Sequence, residues 1–214
     1  MTDHRIVFEK TGRARFISHL DLNRCMVRAI RRSGLPAWYT EGFHPHMYLM
    51  FPLALSLGTE SLCEVMDIRL TEERSPSEIL SRLNAVLPEG LHAVEVRTPQ
   101  DRTQDIEAAE YRVTLKGNSL LPLWEQFLAQ PEILAEKRTK KGVQTIDLRP
   151  LIEAEEAQAE GDHLILALRL PAGNAGNINV SMVTDAFSEF AETPIYVEKL
   201  LRTKIFCGNG RLFS

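Results

Sequence analysis

The order of strand-like and helix-like segments limits the possible folds of this chain more than any other feature. From residue 4, a strand pattern is followed by an amphipathic helix, the extended segments MYLMFPLALSLG and LCEVMDIRLTE, a second helix and the strand LHAVEVRT. The polar stretch PQDRTQDIEAAE comes next, and the same order recurs from YRVTLKG to IYVEKLLRTKIF. This is the order of the ferredoxin-like βαββαβ unit. We therefore predict an α+β chain of two tandem ferredoxin-like units with antiparallel sheets, at residues 1–98 and 110–214, joined by a linker at residues 99–109.

The two helices of the first half carry clear start signals. Ser18 is in the N-cap position of the first helix, Asp21 is in a capping-box-like position, and Gly34 ends the helix. The predicted buried stripe of this helix consists of Leu22, Met26, Ala29 and Ile30. The second helix begins in the same way, with Ser75 as its cap and Pro76 at its first position.

One segment of the second half is additional to the simple unit. EILAEKRTKKG lies between the predicted helix and a predicted hairpin made of GVQTIDLRPLIEAE and GDHLILALRL. We interpret it as an extra strand that turns at Lys141–Gly142. The turn then carries the basic residues Lys137, Arg138, Lys140 and Lys141. Four basic residues in five positions on an exposed turn favour contact with phosphates or with a partner.

Composition excludes several classes of protein. The hydrophobic fraction of 44% and the charged fraction of 25% are those of an ordinary soluble chain. No segment approaches the roughly 20 apolar residues of a membrane span, and the N-terminus lacks a signal-peptide core. We therefore expect a cytoplasmic protein that does not bind membranes. Because Cys25, Cys63 and Cys207 are isolated, we predict no iron–sulfur cluster, no metal ion and no other cofactor.

Basic residues are unevenly distributed in a chain whose formal net charge is −4. The first 50 residues hold eight lysines and arginines against four acidic residues. Among them, Arg24, Arg28 and Arg31 recur at helical spacing on one face of the first helix, with Arg32 beside them. They either contact phosphates or form a solvated helix face. A mildly acidic chain can still present a local basic face to nucleic acid.

Three histidines in the first half have the side chain for acid–base or metal chemistry. His19 and Asp21 lie two positions apart at a helix start, so Asp21 is poorly placed to orient His19 and instead suits the helix dipole. His44 and His46 flank Pro45, which favours an extended backbone with both rings on one face. This pair is open to three interpretations: part of a metal site that needs further ligands, a contact to RNA or substrate, or a structural loop.

Two long stretches resemble a known family. RARFISHLDLNRCMVRAIRRSGLPAWYTEGFHPHMYLMFPLALSLGTES resembles the first signature of the radical-SAM-linked family of bacterial proteins, and KKGVQTIDLRPLI resembles its second. The resemblance implies these signature residues: Arg15, Phe16, Ser18, His19, Asp21, Tyr39, Gly42, Phe43, Pro45, His46, Asp147, Arg149 and Pro150. The family commonly has asparagine where this chain has His44, which disfavours a two-histidine metal site and leaves His46 as the histidine of interest.

The resemblance also implies a partner. Family members are fused to radical SAM proteins or encoded beside them. This chain has no CxxxCxxC motif, so the resemblance implies a partner of a radical SAM protein and not the protein that carries the cluster.

Two functions from different classes follow. The first is a non-catalytic module that presents RNA, such as tRNA or rRNA, or another substrate to a radical SAM enzyme. Its predicted binding residues are Arg15, Tyr39, Phe43, His46, Lys137, Arg138, Lys140, Lys141 and Arg149. The alternative is a stand-alone hydrolase or endoribonuclease with His19 and His46 as acid and base, and Asp21 as a further catalytic candidate. The alternative requires the two imidazoles to converge in a cleft, and the non-catalytic module is the favoured hypothesis.

Overall fold

The chain divides into two compact units. The computed structural model describes residues 1–139, 142–173 and 176–214. Unit 1 holds Met1–Ile106 together with Arg211–Ser214, and unit 2 holds Glu107–Gly210. The chain therefore leaves unit 1 after Ile106 and returns to it at Arg211.

Unit 1 has the predicted strand and helix order. Its elements are β1 (Thr2–Lys10), α1 (His19–Ser33), β2 (Leu49–Met50), β3 (Glu60–Leu70), α2 (Pro76–Asn84) and β4 (Leu91–Arg97). Strand β1 pairs antiparallel with β3 on one side and with β4 on the other, and the short β2 pairs antiparallel with β3. The order β4-β1-β3-β2 completes one ferredoxin-like unit.

The core of unit 1 lies between this sheet and its two helices. The predicted stripe of α1 is buried at all four positions, against Ile6 and Phe8 of β1 and Met66 of β3. The Ser18 side chain accepts a hydrogen bond from the Asp21 amide, and Gly34 ends α1 with a φ of 70°. The predicted start, end and buried face of α1 are confirmed. The apolar face of α1 therefore packs against the sheet, and the arginines of α1 lie on the outer side.

Residues 211–214 are held in unit 1 by a buried ionic network. The Arg5 guanidinium is 1% exposed and donates to both carboxylate oxygens of Asp67, each at 2.8 Å. It also lies 4.2 Å from the centre of the Phe213 ring. Asp101 pairs with Arg211 and accepts from the Ser214 amide at 2.7 Å. The predicted assignment of residues 211–214 to the second unit is therefore wrong, because their partners lie in unit 1.

Unit 2 repeats the same order with one insertion. Its elements are β5 (Ile106–Lys116), α3 (Leu120–Leu128), β6 (Leu134–Thr139), β7 (Gly142–Asp147), β8 (Glu153–Glu160), β9 (His163–Pro171), α4 (Val180–Ala191) and β10 (Tyr196–Cys207). The sheet order is β10-β5-β9-β8, and β9 pairs antiparallel with both β5 and β8. Strands β6 and β7 form a separate antiparallel pair between α3 and β8. The predicted α+β fold of two ferredoxin-like units is confirmed.

The core of unit 2 is built on aromatic rings. Trp124 and Phe127 of α3 contact Phe187 of α4, with ring centres 5.1 and 5.4 Å apart. All three side chains are almost fully buried, together with the leucines at alternate positions of β9. In the parts of the chain that the structure describes, no helix combines the length and the apolar character needed to cross a bilayer.

Two predicted boundaries are wrong. Residues 106–109, predicted to lie in the linker, begin β5, because Ile106 and Ala109 are buried. The segment MYLMFPLALSLG, predicted to be extended throughout, contributes only Leu49–Met50 as β2. Pro52 lies two residues after Met50 and has no amide hydrogen to donate to a neighbouring strand.

Candidate functional site

The first signature begins at a short turn that displays an aromatic ring. This 3₁₀ segment, Gly12–Phe16, lies between β1 and α1 and is called the signature turn below. The Arg15 guanidinium carbon lies 4.8 Å from the centre of the Phe16 ring, within the range of a cation–π contact. Phe16 is 63% exposed although its ring is apolar. The turn therefore presents a ring and a cation together on the surface of unit 1.

Buried polar groups hold the signature turn in place. The Lys10 ammonium donates to the Arg15 carbonyl at 3.2 Å, and the Gly58 amide donates to the same oxygen at 2.8 Å. The Glu60 carboxylate accepts from the Gly12 amide at 2.9 Å and lies 4.0 Å from the Arg15 guanidinium. Lys10 is 1% exposed and Glu60 7%. Because buried charged groups are costly without partners, their contacts fix the turn firmly.

Gly90 approaches the same turn from the loop before β4. The Thr11 amide donates to the Gly90 carbonyl at 2.8 Å. A Cβ atom on residue 90 would lie 2.6 Å from the Thr11 carbonyl oxygen and 2.9 Å from the Ala14 Cβ. The φ of Gly90 is also +83°, in the region that favours glycine. Only glycine therefore allows this approach.

The side chains at the start of α1 are engaged with one another. The Ser18 hydroxyl donates to the Asp21 carboxylate at 2.7 Å, and Arg24 donates to it at 3.3 Å. The hydrogen bond from Ser18, with a smaller contribution from Arg24, holds the pKa of the Asp21 carboxyl below its usual value of 3.8. His19 makes a different contact, edge to face with Phe51 at 5.3 Å between ring centres. Asp21 thus serves the helix start and does not orient His19.

The loop of residues 40–46 is closed by its two end residues. Thr40 Oγ1 accepts from the His46 amide at 3.1 Å and lies 3.0 Å from His46 Nδ1. Phe43 near the tip is fully exposed. Tyr39, just before the loop, accepts a hydrogen bond from Arg31 Nε at 3.0 Å. The loop therefore displays an aromatic ring, and the Nδ1 side of His46 is used to close it.

His19 and His46 make separate contacts, His19 with Phe51 and His46 with Thr40. Among the described residues, no hydrogen bond or ring contact joins His19 to His46. In the same residues, no group of three His, Cys, Asp or Glu side chains is placed to hold a metal ion. A cavity of about 680 Å³ between β6–β7 and α4 of unit 2 is lined by neither histidine. The use of His19 and His46 as acid and base stays a prediction.

Arginines dominate the outer side of α1 and the signature turn. Residues 12–33 contain six arginines and a single acidic residue, Asp21. Asp21 pairs with Arg24, and Arg32 donates to the Val86 carbonyl at 2.9 Å. Within the described part of the chain, no carboxylate lies within ion-pair distance of Arg13 or Arg28. This surface has a net positive charge that its own neighbours do not neutralise.

The second signature forms a turn between β7 and β8. Asp147 Oδ1 accepts from the Ile133 amide at 2.8 Å and from the Arg149 amide at 2.9 Å. Leu148 and Ile152 are buried in the core of unit 2. The predicted single strand GVQTIDLRPLIEAE is wrong, because this turn divides it into β7 and β8. Arg149 lies half-buried on the turn.

Lys137 and Arg138, predicted to lie on a basic turn, lie instead in strand β6. Lys137 donates to the Asn177 carbonyl at 2.8 Å. Lys140 and Lys141 lie outside the described residues, as does the side chain of Arg138. The binding of phosphate by these four residues stays a prediction.

Both signatures fall within one family match. A family model described as "Uncharacterized protein conserved in bacteria (DUF2344)" matches residues 4–180. The chain belongs to this family. The DUF2344 match takes in all of unit 1 except its first three and last four residues, and most of unit 2. No curated protein matches the chain.

Solved structures add no functional argument. One is the crystal structure of a protein proposed to be a glycine cleavage system transcriptional repressor. It shares 16% sequence identity with this chain, over 96% of this chain and 98% of the other, with a TM-score of 0.26. A likeness at this level carries no conclusion about the present protein.

Sequence reasoning missed the residues that hold the signature turn. Lys10, Glu60 and Gly90 lie far from one another in the sequence and outside any helix pattern. A signal was present for Lys10 and Glu60, since each is a charged residue at the end of a strand-like apolar run. Nothing in the sequence shows that these ends meet beneath the same turn.

Proposed function

We propose that this chain is a non-catalytic module that binds RNA on the signature turn and the outer side of α1, and presents it to a radical SAM protein. The observation that carries the RNA part is the six arginines against one acidic residue over residues 12–33, in a chain of net charge −4. Such clusters bind phosphate backbones by releasing condensed counterions. Arginine is also well suited to phosphate oxygens because of its fork of donors. The anchored signature turn supports the same proposal, because it holds Arg15 in a fixed position.

The test of the RNA part is a salt series with an arginine variant. In Arg13→Ala/Arg24→Ala/Arg28→Ala, three exposed cations are removed from the proposed surface. We expect weaker RNA binding at low salt and a log–log salt slope reduced by about 2, since each lost phosphate contact removes about 0.7 for single strands. Stability should change little, because exposed substitutions usually cost within about 0.5 kcal/mol each. Fluorescence anisotropy with labelled RNA measures both affinity and slope.

A matched variant distinguishes the effect of the charge on the proposed surface from the effect of the net charge of the protein. Arg82→Ala/Arg112→Ala/Lys116→Ala also removes three exposed cations, from α2 and β5. It should bind RNA with the parent's salt slope. Equal losses in the two triple variants would mean that net charge alone governs binding. Failure of the parent to bind RNA at about 50 mM salt would contradict the RNA part directly.

The partner part is supported by the family resemblance and by the absence of CxxxCxxC from this sequence. We expect a radical SAM protein to copurify with the tagged chain from its native host. Mass spectrometry of the bound proteins and an iron assay of the purified complex provide the measurement. If no radical SAM protein is recovered under several salt conditions, the partner part fails and the RNA part stands independently.

A further inference from the structure

We propose that the Arg15–Phe16 pair is a stacking site for an unpaired base, and that the RNA bound by this chain is single-stranded. This inference rests on the proposed RNA-binding function. It adds the class of RNA and the chemical group that the surface recognises.

One side of the Phe16 ring remains available for stacking. The Arg15 guanidinium lies over the ring at 4.8 Å, and the side chain is still 63% exposed. Among the described residues, no second aromatic ring or cation lies over Phe16. A base on the open side would complete a stack of guanidinium, ring and base. Aromatic stacking assisted by arginine is a common way of binding single-stranded nucleic acid.

The ring is carried by a backbone that is already fixed. The signature turn is tied to Lys10, Gly58 and Glu60 by hydrogen bonds of 2.8–3.2 Å. Gly90 closes against the same turn, with no space for a side chain. A platform fixed before binding loses little conformational entropy when a ligand arrives. This rigidity suits a stacking surface better than it suits an ordinary solvated turn.

The surroundings of the ring match a nucleotide. Leu57 is 66% exposed and directly precedes Gly58, whose amide donates to the Arg15 carbonyl. Leu20 is 59% exposed and follows Phe16 by four residues. Arg13 lies on the same turn, and no carboxylate of the described residues is within ion-pair distance of it. The signature turn and the residues next to it therefore carry exposed apolar side chains for the face of a base and a cation for its phosphate.

This combination favours single strands over the other possible ligands. In a duplex the faces of the bases are stacked inside the helix, and double-stranded RNA is recognised through its shape, phosphates and 2′-hydroxyls. A phenylalanine ring reaches the face of a base only where that base is unpaired. A stretch of acidic residues would form ion pairs with the arginines but would offer no aromatic ring to stack on Phe16.

The experiment compares two ligands that differ only in their bases. One probe is an oligouridylate of about 12 nucleotides, and the other is an abasic ribose-phosphate oligomer of equal length. The parent should bind the oligouridylate more tightly by about 5-fold to 150-fold, the range that follows from one stacked base. Phe16→Leu keeps an apolar side chain without a ring. It should lose this preference, bind the abasic oligomer as the parent does, and keep the parent's salt slope.

Two further variants make the result decisive. Phe16→Trp should retain the preference, and its fluorescence should be quenched by the oligouridylate more than that of the parent, which already contains Trp38 and Trp124. Tyr196→Leu removes an aromatic ring of similar exposure, 66%, from unit 2 and should behave as the parent. If Phe16→Trp folds but shows no preference for bases, the stacking proposal is wrong.

The outcomes also separate this inference from the proposed function. A parent that binds both oligomers equally, or binds a duplex as tightly as the single strand, overturns the stacking site and leaves RNA binding in place. A parent that binds neither oligomer nor duplex overturns both. Binding of polyglutamate that depends on Phe16 would assign the surface to a protein partner and overturn the inference.

Discussion

His4 shows how the environment of a single residue links protonation to stability. It lies in β1 with 9% of its surface exposed, and its Nε2 is 3.0 Å from the Thr2 hydroxyl. Burial lowers the pKa of its imidazole below the usual 6.5, against smaller opposing effects of Asp3 and Glu73. The unfolded chain therefore binds a proton at this residue more readily than the folded chain. Stability contributed by neutral His4 is present above pH 6.5 and is lost as the pH falls towards the folded-state value.

We therefore predict that His4→Gln reduces the loss of stability between neutral and mildly acidic pH. The measurement is the urea midpoint of the parent and the variant above pH 6.5 and at steps below it. His92→Gln replaces an exposed histidine of β4 and is the control for the loss of a histidine as such. An identical pH dependence in the parent and His4→Gln would show that burial of His4 does not link its protonation to folding.

At the scale of elements, the two helices of unit 1 begin in the same way but border different surfaces. Ser18 accepts from the Asp21 amide, and Ser75 accepts from the Glu78 amide, both at 3.2 Å. Only the Ser18 cap joins the signature turn to α1. We therefore expect the two caps to contribute equally to stability, and only the Ser18 cap to affect the proposed RNA binding.

We predict that Ser18→Ala and Ser75→Ala each lower the free energy of unfolding by about 1 kcal/mol, the usual effect of losing an N-cap. Ser18→Ala should also weaken RNA binding, because fraying of the first turn of α1 loosens Asp21 and the Arg24 side chain that pairs with it. Ser75→Ala should bind RNA as the parent does. Chemical denaturation and fluorescence anisotropy on the same samples provide both readouts. Equal RNA affinity in the two variants would show that the cap does not position the RNA-binding side of α1.

Elements with strong local signals could be predicted from the sequence, and elements defined by distant contacts could not. The cap, buried stripe and glycine of α1 all act within 17 residues of chain, from Ser18 to Gly34. The division of GVQTIDLRPLIEAE depends on Asp147, which bonds to the Ile133 amide on the far side of the hairpin. Likewise, Lys10 and Glu60 act on the signature turn only because β1 and β3 are neighbours. The signature positions were visible in the sequence, but the side chains that hold them were not.

At the scale of the whole molecule, residues 211–214 complete a unit that begins at the other end of the chain. Phe213 is 4% exposed, and its ring lies under the Arg5 guanidinium, which also pairs with Asp67. Its carbonyl accepts a hydrogen bond from Arg97 at 3.0 Å. Unit 1 therefore depends on a segment that follows all of unit 2 in the sequence.

We predict that Phe213→Ala lowers the free energy of unfolding of unit 1 by about 3 kcal/mol, the lower end of the range for a buried phenylalanine. Hydrogen exchange of β1 and β3 should accelerate, while that of β9 in unit 2 should not. Leu212→Ala is the control, because Leu212 is 55% exposed and its loss should change little. Equal acceleration in β1 and β9 would show that the two units unfold together.

The return of the chain to unit 1 also sets the order in which the protein is completed on the ribosome. Arg5 and Asp67 are synthesised early, but Phe213 and Ser214 arrive only after residues 107–210 have been made. At about 5–20 residues per second, that interval lasts roughly 5–20 s. Unit 2 is continuous in sequence and receives all of its residues before unit 1 does. Nascent unit 1 must therefore wait without the segment that contacts Arg5, and chaperones that bind exposed apolar surface have access to that region during this interval.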